Sequence, residues 1–110
     1  MRWLALVVAS WSSIAFADGP LKKETVVHAM TALRPQLDAC YQRFHVAGMV
    51  VVDVTIAPTG SVTDAEIAAR SDIAGSSPTG ACVAQAVRAA RLAPFDGPPR
   101  QLAYPFMLGD

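Results

Sequence analysis

Four kinds of side chain in this chain are equipped for chemistry, and the spacing of each can be read. Asp64 and Glu66 stand two apart, which puts two carboxylates on one face of a strand, where a pair could share a proton or a cation. Ser71, Ser76 and Ser77 are potential nucleophiles, but none sits in a Gly-x-Ser-x-Gly elbow; turn and capping chemistry explains them better. His28 and His45 are single residues at the two ends of one helical pattern, the setting of an exposed or satisfied histidine, with pH sensing as the other option. Cys40 and Cys82 could join these histidines around a metal, yet no pair has the close Cys-x-x-Cys or His-x-x-x-His spacing of such sites. With no glycine-rich phosphate loop either, the expectation is a non-enzymatic protein without metal or cofactor, whose Asp64 and Glu66 form a solvated surface that discourages aggregation.

The elements that would position these residues are organised around Gly48–Ile56. Val50, Val52, Val54 and Ile56 fall on one side and Met49, Val51, Asp53 and Thr55 on the other, the period of a strand that buries one face. Before it, Val26, Val27, Met30, Leu33, Leu37, Cys40, Tyr41 and Phe44 recur every three or four residues, predicting a helical stripe over residues 21–44. Pro35 interrupts that pattern without shifting its phase, so the stripe is one kinked helix or two abutting pieces with Pro35 in the first turn of the second. After the strand, Pro58-Thr59-Gly60 predicts a hairpin turn. The returning strand spans about residues 61–71, and its apolar positions change parity between Val62 and Ala65, so a bulge near Thr63-Asp64 is expected. Ser77 and Pro78 begin a second helix over about residues 79–92, with Cys82 in its first turn. The last strand, Arg100–Leu108, alternates Leu102, Tyr104, Phe106 and Leu108 on one face, and Pro105 marks it as an edge strand with its nitrogen turned away from its neighbour. The expected fold is α+β, two helices on one face of a three-stranded, mainly antiparallel sheet in the order α-β-β-α-β.

Residues 1–17 carry one Arg, an apolar stretch from Trp3 to Phe16, and Ala15 and Ala17 at the positions a signal peptidase reads. The stretch is short for a membrane span. Cleavage after Ala17 would leave residues 18–110 as one small domain. Without Arg2, eight Lys and Arg stand against nine Asp and Glu, so nothing draws a nucleic acid or an anionic lipid surface. Two cysteines in an exported chain point to one disulfide, Cys40–Cys82.

Taken together, Cys40-Tyr41, Gly48-Met49-Val50-Val51-Val52, Gly60-Ser61-Val62, Ser71, Cys82-Val83 and Tyr104-Pro105-Phe106 resemble the TonB carboxy-terminal domain superfamily. The nearer likeness is to its myxobacterial AgmX/PglI carboxy-terminal branch, in which both cysteines recur in these contexts. The resemblance covers residues 21–108. It implies a periplasmic domain that binds envelope proteins by pairing a strand with a partner segment, here along the edge formed by Gln101, Ala103, Tyr104, Pro105, Phe106 and Met107. TonB's membrane helix and Pro-rich spacer have no counterpart in these residues, so neither anchoring of the mature chain nor energy coupling is expected. The rival expectation is a ligand-binding or structural periplasmic protein that shares only the fold.

Overall fold

The computed structural model describes residues 19–109. The expected signal segment, residues 1–17, lies outside the described residues, as do Asp18 and Asp110. The elements in chain order are α1 (Lys23–Thr31), α2 (Arg34–Phe44), β1 (Gly48–Ile56), β2 (Val62–Ile67), α3 (Pro78–Arg88) and β3 (Arg100–Leu108). The fold is α+β, and its sheet is antiparallel throughout with β1 in the middle, in the order β2-β1-β3. The order of elements among the described residues is therefore α-α-β-β-α-β, with three helices there rather than the two expected. Pro35 is the reason. It has no N–H to give and its ring crowds the carbonyl one turn back, so the chain breaks at Ala32-Leu33 and Pro35 opens α2. The apolar phase survives the break, so both pieces bury one stripe: Val26, Ala29, Met30 and Leu33, then Leu37 and Cys40.

The alternation along β1 sets the inside and outside of the molecule. Val50, Val52, Val54 and Ile56 are at most 1% exposed, under the helices, whereas Met49 and Asp53 on the opposite face are open to solvent. In β2 the register jumps from Thr55 opposite Asp64 to Ile56 opposite Val62, which leaves Thr63 as the extra residue of a bulge. This keeps both Val62 and Ala65 inside. α3 lies on β2 and β1, and α2 lies against α3 and the far strand β3.

β2 ends at Ile67, not near residue 71 as its composition suggested, because side chains take over its role. The Ser71 hydroxyl accepts the Val51 N–H at 2.8 Å and donates to the Val51 carbonyl at 3.2 Å. One residue on, the Asp72 carboxylate accepts the Met49 N–H at 3.0 Å, and the Asp72 N–H donates to the Met49 carbonyl at 2.8 Å. Ser71 thus acts as a piece of strand. In Ser71→Ala the half-buried Val51 N–H loses its partner, and a loss of about 1–2 kcal/mol is expected, together with faster hydrogen exchange at the Val51 amide. An unchanged exchange rate there would contradict this role.

α3 starts as its sequence predicts, with the Ser77 hydroxyl accepting the Gly80 N–H at 3.0 Å and Pro78 in the first turn. It stops at Arg88, four residues short of the expected end. The chain instead turns to the hairpin, where the Leu92 N–H donates to the Gly60 carbonyl at 2.8 Å and Arg91 bridges to Ser61. Across the helical layer, Cys40 near the end of α2 is bridged to Cys82 in α3, with Cα atoms 5.9 Å apart.

Candidate functional site

Hydrogen-bond parity decides which strand edge is free. In an antiparallel ladder the N–H and C=O of one residue point to the same side, and successive residues point to opposite sides. Both groups of Val51 are used on the β2 side, by Ser71 and by the Ala68 N–H. Its partner across the other ladder is Pro105. Pro105 therefore turns its nitrogen away from β1, as an edge proline must. By the same parity Arg100, Leu102, Tyr104, Phe106 and Leu108 bond to β1, while Gln101, Ala103, Pro105 and Met107 direct their backbone groups to the outer edge.

That edge is not uniformly open. At its far end Arg34 of α2, held by an ion pair with Asp38 at 3.3 Å, donates to the Met107 carbonyl at 2.9 Å. Pro105 offers a carbonyl only, and Pro99 just before the strand likewise has no N–H. Among the described residues nothing bonds the outward groups of Gln101 and Ala103, so these two residues form the complete pairing window. The other edge of the sheet is shorter and obstructed. Ala65 lies opposite Val54, whose backbone faces β3, so the Ala65 carbonyl points outward, where Arg88 of α3 caps it at 2.9 Å.

The side chains of the expected edge set divide between the two faces of the sheet. Gln101, Ala103, Pro105 and Met107 are exposed on the open face. Tyr104 is half-buried and Phe106 is 7% exposed within the core, their rings 5.0 Å apart, so Phe106 anchors β3 from beneath. On the helix side, α1 does not close over β3. A groove of about 280 Å³ runs between them, lined by Leu21, Val26, Val27, Leu102 and Tyr104 and rimmed by Lys22, Lys23 and Arg100. A second groove of about 220 Å³ continues it past Met30 and Arg34.

The other residues equipped for chemistry are scattered. His28 is exposed on α1, and His45 caps the end of α2 in the left-handed region (φ 56°), its ring edge against Tyr41. Both sulfurs are bridged to each other, so neither is a thiolate ligand. Among the described residues no three His, Cys, Asp or Glu side chains gather around a point. Ser77 is a helix cap and Ser71 a ladder partner, and neither contacts a base. Asp64 and Glu66 do share a face, and Asp53 joins them because it lies directly opposite Glu66. The three line a depression of about 430 Å³ with Thr55 and Gln101, where no Ser, Cys or His stands beside them. The alternation of β1 already put Asp53 on that outer face; the register that sets it against Glu66 depends on the bulge at Thr63. The two arginine caps have no signal in the local sequence, since each joins residues far apart in the chain.

No helix among the described residues is long and apolar enough to cross a membrane. No family model, curated protein or solved structure matches this chain.

Proposed function

We propose that this chain is an exported, non-enzymatic binding module of the cell envelope that takes up an extended segment of a partner protein along β3. The resemblance to the TonB carboxy-terminal domain suggested such an edge, and the observation that carries the reading is the backbone of Gln101 and Ala103. Among the described residues, two successive outward residues of a nine-residue strand keep their donors and acceptors free, while Pro105 and Arg34 blunt the rest of that edge and Arg88 caps the Ala65 carbonyl on the other. Added strands gain affinity from main-chain hydrogen bonds and specificity from pockets for alternate side chains. The window supplies the first and the α1–β3 groove supplies the second. The disulfide is compatible with an oxidising compartment such as the periplasm.

The test uses residues 18–110 and the variant Ala103→Pro. Residue 103 turns its N–H outward as Pro105 does, so proline there removes an edge donor without removing a bond to β1. Partners captured from an envelope extract by the native domain are expected to be lost at least about tenfold with the variant, whose fold is checked by circular dichroism. A partner retained equally by the folded variant would overturn edge binding.

A further inference from the structure

We infer that the segment taken up by β3 carries a basic side chain opposite Ala103 and an apolar side chain opposite Leu102. The inference rests on strand addition at β3 and specifies the chemistry of the incoming segment.

Side chains of an added strand alternate between the two faces of the sheet, in phase with the residues they oppose. The two faces of this edge differ in charge. On the helix side, the position opposite Leu102 opens into the groove of about 280 Å³ between α1 and β3, apolar along its floor and large enough for one big side chain. Lys22, Lys23 and Arg100 rim that groove, so a basic residue is repelled from it.

On the open side the charge is reversed. The row through Ala103 continues directly to Asp53 on β1 and Glu66 on β2. Ala103 has no side chain beyond its methyl, so nothing on β3 stands between an incoming residue and Asp53. With strands spaced about 4.8 Å apart, the incoming backbone lies roughly 10 Å from that of Asp53, a gap that a Lys or Arg and a carboxylate span together. Asp53 and Glu66 face each other as like charges, which is unfavourable in a directly opposed pair, and Asp64 stands in the next outward row. Among the described residues the ion pair present is Arg34–Asp38, so these three carboxylates have no cation within 4.0 Å. A basic side chain reaching over Ala103 relieves the repulsion and completes the row. The proline-bracketed window then fixes the length of the paired stretch at three residues, opposite Gln101, Leu102 and Ala103, with an outward, an inward and an outward side chain.

The test is a heteronuclear NMR titration of residues 18–110 with the peptide Ac-Gly-Thr-Lys-Leu-Lys-Thr-Gly-NH2 and with its counterpart carrying Glu for both Lys. The Lys peptide is expected to shift the Gln101 and Ala103 amides and to bind about three- to tenfold more tightly than the Glu peptide at low salt, a preference that added salt erodes. In Asp53→Lys the order of the two peptides is expected to reverse, and in the milder Asp53→Asn the difference should shrink. Both residues replace an exposed carboxylate whose neighbour repels it, so the fold is retained. Equal shifts from both peptides at Gln101 and Ala103, unchanged in either variant, would overturn the charge rule and leave strand addition standing. Shifts confined to Asp53, Asp64 and Glu66 would overturn the inference as mere ion binding. If neither peptide touches the Gln101 and Ala103 amides, strand addition itself fails, and the inference with it.

Discussion

Removing the Cys40–Cys82 bridge, by reduction or by the double substitution C40A/C82A, is expected to lower the stability of the domain by about 4 kcal/mol in the chain-entropy model, for a loop closed across a sequence separation of 42. For a domain of this size that is a drop in melting temperature of roughly 15–30 °C. That magnitude is set by the length of the closed loop, whereas the place where the fold loosens is set by α2, whose buried side chains are Leu37 and Cys40. α1 is held instead by Val26, Ala29 and Met30, and the sheet by the four inward residues of β1. Loss of the bridge should therefore loosen α2 first, visible as faster amide exchange over Arg34–Phe44 before the strands respond. Since Arg34 belongs to α2, the cap on the Met107 carbonyl should weaken with it. A melting temperature unmoved by reductant, with complete reduction verified by mass, would show that α2 is held by packing alone.

The second large effect is expected at the hairpin. Gly60→Ala should destabilise by about 3 kcal/mol or more, on two counts that can be separated. Gly60 has φ +92°, where a side chain is strained, and a Cβ built there would overlap the Leu92 carbonyl oxygen and lie 2.9 Å from its carbon. Those are backbone atoms, so relief requires pulling the segment after α3 away from the turn and breaking the bond from the Leu92 N–H to the Gly60 carbonyl. Gly97 supplies the control. Its φ is +113°, yet nothing lies within 4 Å of the position its Cβ would take. Gly97→Ala should cost only about 1–2 kcal/mol, the conformational share alone. Denaturant midpoints of the two variants that coincide would refute the close approach of Gly60 to Leu92.

Much of this fold is legible in the chain because it depends on local rules. The period of two along Gly48–Ile56 identifies the buried face of β1, and the parity change between Val62 and Ala65 requires a bulge that appears at Thr63. Ser77-Pro78 begins α3, and Arg100–Leu108 is β3 to the residue. What escaped is where elements end, and each end is set by a group remote in sequence. The hydroxyl of Ser71 and the carboxylate of Asp72 replace β2 beyond Ile67, and the Gly60 carbonyl draws Leu92 out of the helical path. Pro35 left two options open, and the structure takes the broken helix. The candidate edge divides in the same way. Alternation with Pro105 places Gln101 and Ala103 on the outside, but that among the described residues only these two outward residues keep both backbone groups free depends also on Arg34, which reaches the Met107 carbonyl from 73 residues earlier.

The unequal treatment of the two sheet edges has a consequence for stoichiometry. A sheet open on both sides is a bifunctional monomer: each copy can accept a strand and offer one, and growth continues into fibres. Here Arg88 occupies the Ala65 carbonyl on the shorter β2 edge, and Pro105 with Arg34 shortens the other. On the strand-addition reading proposed above, β3 is the edge that seats the strand, so the domain would act as a chain terminator in the polymer chemist's sense, with one seated strand per domain.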